Sequence, residues 1–344
     1  MEFKAKVVIL YARWDQFGDA LLRMPALRAA RSAFPNSHII YGCQDHTAFT
    51  TVLRRHVDHL VDEVRPHTPL TTLLKEARSR GDSIVVVDFR AVILTLLAMR
   101  LRLLGSGIIY EANMRGYVAS SWHGVPFAPR PEQVAWRNHR LVERAAGRQL
   151  PFDHCIPVPD TARALARGIR KDDARPLILM CGNGARDKQM SSSQVAVVAG
   201  ALIDRGFQLL YLETPGHGPT GETLAPLEPR LRIVGPNLGL ASRVLDDVFL
   251  ALGEMAAAYV GIEGGMGHLM ATVMTPSVII NHGVKMDRWR PLSNAVEILD
   301  AKAECSSGLI ADVPPAAIVE AVLRLDLAQR RDHGEYIANE VAGL

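Results

Sequence analysis

The chain reads as an α/β protein of two Rossmann-like halves, each built on a parallel sheet, and three observations lead there. Its 344 residues exceed one typical domain and suit two of roughly 150 to 180 residues. Short β-branched runs alternate with stretches of helical apolar period in both halves, as parallel strands joined by crossover helices do. Between the halves the pattern gives way to Pro151, Pro157, Pro159 and the polar run Arg170–Pro176, which reads as the boundary. Domains of 1–165 and 166–344 are expected.

Taken in order, Lys6–Tyr11 is a β-branched strand, Ala20–Ala33 has the helical period, and Ser37–Tyr41 is a second strand. A helix over Thr71–Arg80 leads to a third strand, Ile84–Asp88. The apolar window Ala91–Leu104 is broken by Arg100 and Arg102 and is shorter than the ~20 residues of a membrane span, so it reads as a core or interfacial helix. Ser120–Arg137, with Pro126, Pro129 and Pro131, reads as a long loop before a helix at Asn138–Ala146. The second half gives strands at Leu177–Cys181, Gln208–Glu213, Arg232–Val234, Ala257–Ile262 and Val278–Asn281, with helices near Ser192–Arg205 and Arg243–Met255.

Composition narrows the function classes. Apolar residues make up 48% and charged residues 22%, so the chain is neither disordered nor fibrous. A net charge of +3 gives no dedicated nucleic-acid surface. Cys43, Cys155, Cys181 and Cys305 form no C-x-x-C pair; neither a disulfide framework nor a metal site is expected, and the setting expected is the reducing cytoplasm. The opening Met-Glu-Phe-Lys-Ala-Lys runs straight into a strand, without a secretory signal.

Two stretches carry chemistry. Tyr259–Pro276 reads as strand, glycine turn and short helix, with Gly264, Gly265 and Gly267 freeing the backbone, Glu263 at the strand's carboxyl end and His268 in the helix's first turn. A helix N-terminus with unpaired amides can hold a phosphate; an ordinary tight turn with a solvated Glu and a packed His fits the same residues. The second stretch is Arg13–Leu27, after the first strand. Only Gly18 is present there, so it is no dinucleotide fingerprint. Asp19 suits two competing roles, a helix N-cap and a general base on the sheet's rim. Arg90, Arg115, Arg137 and Arg140 form a candidate anionic-acceptor patch, and His217 receives no role.

At these motifs the chain resembles glycosyltransferase family 9, the ADP-heptose:lipopolysaccharide heptosyltransferase-like enzymes. Gly18-Asp19, Leu21-Leu22, Pro25-Ala26-Leu27-Arg28 and Phe34-Pro35 match the family's first motif. Val87-Asp88-Phe89-Arg90 and His139-Arg140-Leu141-Val142-Glu143-Arg144 are similar to later ones, as are the loop Gly182–Met190, the turn Glu263–His268 with Thr275-Pro276, and Asp287–Pro291. The resemblance covers most of the chain and implies a GT-B fold: two facing Rossmann-like domains, donor bound mainly to the C-terminal one and acceptor mainly to the N-terminal one. It implies an inverting, metal-independent sugar transfer to an acceptor hydroxyl, with a heptose as sugar, an ADP-linked donor and no cofactor.

The resemblance makes Asp19 the general base and gives Lys188 a phosphate contact. It puts Glu263, Gly264, Gly265 and His268 around the donor diphosphate and sugar; Gly18, Asn183 and Arg186 are counted with the donor contacts. The chain departs from the family where Glu263 replaces Asp, Gly264 replaces Ser or Thr, Gln189-Met190 replaces Trp-Pro, and His282-Gly283-Val284-Lys285 replaces Gly-Pro-Thr-Asp. The implied partners are a nucleotide sugar and a glycan or small-molecule acceptor, with peripheral membrane contact and a monomer or homodimer as further expectations. A sugar-nucleotide epimerase or hydrolase, or a non-catalytic nucleotide-sugar-binding protein, would share the scaffold.

Overall fold

Wholly apolar runs with β-branched residues can be buried on both faces only between parallel neighbours with helices on either side. Val-Val-Ile-Leu-Tyr-Ala is such a run, and all six residues are buried in β1 (Val7–Ala12). The computed structural model describes residues 5–79, 83–90, 108–113, 117–120, 127–129, 131–227 and 230–325. Contacts divide the chain into two units, Met1–His154 with Asp287–Trp289, and Cys155–Met286 with Arg290–Leu344.

In the first unit β1 is followed by β2 (His38–Cys43), β3 (Glu63–Arg65), β4 (Ile84–Asp88), β5 (Ile109–Asn113), β6 (Tyr117–Ser120) and β7 (Phe127–Pro129), in spatial order β3-β2-β1-β4-β5-β6-β7. Strands β1 to β5 pair parallel. The last two turn antiparallel, and β7 lies inside Ser120–Arg137, the stretch expected to be one long loop. Ile9, Tyr11, Ile40 and Val86 pack with Leu70 and Leu73 of the helix Leu70–Ser79.

The single helix expected over Ala20–Ala33 is two, Phe17–Leu21 and Met24–Ala33. Pro25 sits at the start of the second, where it lacks the N–H an unbroken helix would need and its ring would crowd a carbonyl of the preceding turn. The helix expected from Asn138 begins at Val134, because Gln133 Oε1 accepts from the amides of Ala135 and Trp136 at 2.6 and 3.1 Å. It ends at Gly147, whose φ of 68° closes the last turn.

The second unit holds β8 (Leu177–Cys181), β9 (Gln208–Leu212), β10 (Arg232–Val234), β11 (Ala258–Ile262), β12 (Ser277–Asn281) and β13 (Val296–Asp300), all parallel, in order β10-β9-β8-β11-β12-β13. Its core joins Met180, Val195, Val198, Leu202, Val260, Ile280 and Ile318. A helix over Asp160–Ile169, inside the stretch expected to be a linker, packs on the helix Ser242–Met255 through Ala162, Ala166 and Ile169. Among the described residues no helix is long and apolar enough to cross a membrane. The window Ala91–Leu104 and residues 326–344 lie outside the described residues.

Candidate active site

Open parallel sheets bind ligands at the strands' carboxyl ends, where the order of connection reverses. In the second unit that point lies between β8 and β11, whose register sets Gly261 opposite Cys181. The loops that follow the two strands therefore begin side by side. One carries Asn183, Arg186 and Lys188; the other carries Glu263, Gly264 and Gly265.

The loop after β8 is tightly fixed. Gly184 and His217 exchange backbone hydrogen bonds of 2.9 and 2.8 Å. A Cβ on Gly184 would lie 2.0 Å from the Lys188 carbonyl oxygen and 2.2 Å from Ile262 Cδ1, so only glycine fits there. The Asn183 side chain is committed to this architecture, donating to the Pro219 carbonyl at 2.9 Å and accepting from the Tyr211 hydroxyl at 2.9 Å. It holds the loop in place. Lys188 forms a salt bridge with Glu263, the two side chains 30% and 13% exposed. The longer acid at position 263 is thus the partner of the cation that the resemblance gives to phosphate. A phosphate reaching Lys188 must compete with an acid already there.

After β11 the helix Gly265–Ala271 starts without any side-chain cap. Gly264, its N-cap, has φ 162° and ψ −170°, extended backbone open to any residue, and no atom lies within 4 Å of the position a Cβ would take. Backbone strain therefore does not require glycine at 264. Gly265 is the first helical residue, and a Cβ on Gly267 would touch Ile279 Cδ1 at 3.0 Å, which seats the helix on β12. His268 is 9% exposed, and burial lowers its pKa to about 4, so the imidazole is neutral near pH 7. Its Nδ1 has no hydrogen-bond partner among the described residues. A buried polar atom left unmatched typically costs ~1 to 3 kcal/mol, which a ligand's polar group can recover.

Beside the loop after β8 lies a cavity of about 390 Å³ lined by Arg186, Gln189, Ser191, Ser192, His217 and Gly218. That volume falls in the range of small-molecule sites, roughly 300 to 1,000 Å³. Ser191 Oγ caps the helix Ser192–Ile203 by accepting from the Gln194 amide at 3.1 Å. Arg186 is exposed at the cavity's wall. His217, given no role from sequence, lines it as well; the signal was Gly216-His217-Gly218 just past a strand end, the same kind of glycine punctuation that marked the other loop.

In the first unit the connection order reverses between β1 and β4. Asp19 lies in the loop and helix that follow β1, half-buried. It is not the N-cap. Gln16 holds that position, and Asp19 is the third helical residue, with Gly18 before it. Burial raises its pKa, opposed by a hydrogen bond from the Gln16 backbone and by the charge of Arg288. The carboxylate is thereby a better base than an ordinary aspartate.

A buried network under this loop was not expected. Asp15 is fully buried and pairs with Arg23, with the Tyr41 hydroxyl, and with Thr47 Oγ1 at 3.2 Å. Burial pushes the Tyr41 hydroxyl up to about 12, so it stays a donor. At the end of β4, buried Asp88 accepts from Arg90 at 2.9 and 2.7 Å and from the Tyr110 hydroxyl at 2.7 Å, while the Arg90 guanidinium lies 4.4 Å above the Tyr11 ring. The expected anionic-acceptor patch does not assemble as free cations. Arg90 is held by Asp88, Arg137 by the carbonyls of Pro131 and Glu132 at 3.2 and 2.5 Å, and Arg140 by Glu143 at 3.0 Å. Arg115 lies outside the described residues.

Serine at Gly264 separates two explanations for the glycine. The fold should accept Gly264→Ser with an unchanged melting temperature, because the backbone is extended and the Cβ space open. If the ADP that the resemblance implies is seated at this helix start, its affinity is expected to fall, since the added hydroxymethyl group takes room the diphosphate would use. Tighter ADP binding in calorimetry would show instead that the serine hydroxyl adds a phosphate contact.

No protein-family model matches the chain, and no curated protein sequence matches it. Solved structures do. A family 9 glycosyltransferase from Veillonella parvula is 16% identical with a TM-score of 0.63, over 95% of this chain and 99% of that one. The ADP-heptose lipopolysaccharide heptosyltransferase II of Escherichia coli is 17% identical with a TM-score of 0.60, over 94% and 99%. An E. coli heptosyltransferase solved with ADP is 14% identical with a TM-score of 0.59, over 93% and 99%. At such identities the likeness is one of fold, and it spans nearly all of both chains. The protein has the GT-B fold of the family 9 glycosyltransferases.

Proposed function

We propose that this protein is an inverting, metal-independent glycosyltransferase that moves a sugar, in this reading a heptose, from an ADP-linked donor to an acceptor hydroxyl. The observation that carries the proposal is the pair of loops at the β8/β11 switch point, which joins Lys188 to Glu263 two residues before the uncapped start of the helix Gly265–Ala271. The neighbouring cavity bears Arg186. The ADP in one of the similar E. coli structures supports the choice of nucleotide. The setting proposed is cytoplasmic glycoconjugate synthesis, with lipopolysaccharide as one acceptor class and peripheral membrane contact.

Each step has a residue of this chain. As the acceptor oxygen attacks the anomeric carbon from the side opposite the diphosphate, its proton passes to the Asp19 carboxylate, whose raised pKa suits the task. The bond between anomeric carbon and phosphate oxygen breaks, and ADP leaves with the electron pair. Lys188, released from Glu263, the opening amides of the helix at Gly265 and the Arg186 guanidinium stabilise the growing charge, which metal ions do in other transferases. Glu263, freed in the exchange, accepts hydrogen bonds from sugar hydroxyls. His268 donates or accepts without change of charge.

Thermal unfolding with ADP, UDP, GDP and CDP tests the reading. A nucleotide at 100 times its dissociation constant should stabilise the protein by about 2.7 kcal/mol, and ADP should give the largest shift at equal concentration. No shift with any of the four would remove the proposal.

A further inference from the structure

We propose that Trp14 is a stacking platform for the acceptor's sugar ring, a subsite on the carboxyl edge of β1; this rests on the transferase reading above. Trp14 is 40% exposed, the large aromatic of the loop that leads from β1 to Asp19. The backbone that carries it is fastened on both sides. The Arg13 carbonyl accepts from the Asp45 amide at 2.8 Å, the Asp15 amide donates to the His46 carbonyl at 3.0 Å, and the Asp15 carbonyl accepts from Ala48 at 3.2 Å. The Trp14 carbonyl itself accepts from Arg23 Nη1 at 3.4 Å.

Directly beneath in sequence, Asp15 is fully buried in its network with Arg23, Tyr41 and Thr47. That network fastens the segment at its next residue. The indole stands beside the exposed His46 ring, centroids 6.5 Å apart and tilted by 35°. The exposed part of the indole is a flat apolar face of the kind that stacks on a ligand ring.

The chemistry of that ligand follows. Arg90, Arg137 and Arg140 are committed to protein partners, and Trp14 offers an aromatic face rather than a cation. A pyranose ring has an apolar face of C–H bonds that packs flat on an indole, and its hydroxyls remain at the edge. Stacking of this kind positions an acceptor without charge.

The test is saturation-transfer NMR with methyl pyranosides, with ADP present and absent, on wild type, Trp14→Ala and Trp14→Phe. Ring protons should be saturated by wild type and Trp14→Phe and lost with Trp14→Ala, about a tenfold or greater loss of affinity for one stacked ring. The melting temperature and the dissociation constant for ADP should be equal in all three. Saturation that survives in Trp14→Ala, or is missing from wild type that binds ADP, overturns the platform and leaves the donor reading standing. Saturation that depends on Trp14 in a protein that does not bind ADP keeps the platform and ends the donor reading.

Discussion

Replacing Asp19 with asparagine should lower turnover by roughly 10² to 10⁴, the range for loss of a general base, while the dissociation constant for ADP stays as it was. Asparagine keeps the shape and can still accept from the Gln16 amide, so the start of the helix survives. The pH dependence has a definite sign. Burial raises the pKa of Asp19, so the folded state holds this proton more tightly than the unfolded chain does. The ionised group therefore costs stability above its folded pKa, and that cost fades as pH falls through it. Asp19→Asn should accordingly leave the melting temperature at neutral pH unchanged or slightly higher. Turnover of the wild type should fall on the acid side at a pH above the ordinary aspartate value of about 3.9, and this limb should vanish in the variant. Equal turnover with an unchanged profile would reduce Asp19 to a helix-start residue.

Lys188→Ala should weaken ADP binding by about 10- to 100-fold at low salt, because a hydrogen bond to a charged group is worth ~1.5 to 3 kcal/mol. The difference should shrink as salt screens the partly exposed site. Glu263→Gln should act in the opposite direction. It keeps the size of the side chain but removes the charge that occupies Lys188, so ADP should bind more tightly while transfer of the sugar slows. Calorimetry of both variants at low and high salt decides the matter. Unchanged affinity in Lys188→Ala makes the pair a structural salt bridge, and weaker ADP binding in Glu263→Gln makes Glu263 a direct support of the nucleotide site.

The parts of the fold visible in the sequence were those with a local cause. Buried apolar runs such as Ile84–Asp88 and Leu177–Cys181 announced their strands because nothing polar interrupts them. Glu63–Arg65 is too short and too charged to announce anything; it forms an edge strand because β2 offers it a partner. Ile109–Asn113 carries a glutamate in its middle, which ordinarily speaks against burial. Glu111 is fully buried because Arg144, on a helix more than thirty positions later, reaches it at 3.2 Å. The helix Asp160–Ile169 was hidden among prolines that look like a linker, although Pro159 suits the position before a helix start and Ala162, Ala166 and Ile169 make its buried stripe.

The site divides in the same way. Glycines, an acid at a strand end and a histidine one turn later can be recognised within a few residues. That Glu263 binds Lys188 cannot, because they are joined only by the pairing of β8 with β11. Asn183, grouped with the donor contacts on its position in the loop, has its amide taken up by Tyr211 and Pro219, partners that enter through β9 and the loop after it. Asp15 and Arg23 flank the Gly18-Asp19 pair of the first motif, yet their burial depends on Tyr41 and Thr47 arriving from the β2 region.

The most direct test incubates the protein with ADP-heptose, with and without a glycan acceptor, and follows ADP release and the anomeric proton by NMR. Release of ADP that requires the acceptor, with a product of anomeric configuration opposite to the donor's, is the predicted result. Conversion or hydrolysis of the donor at the same rate without acceptor would contradict the assignment as a transferase, and a product that retains the donor's configuration would contradict the direct displacement by the acceptor oxygen in which Asp19 takes the proton.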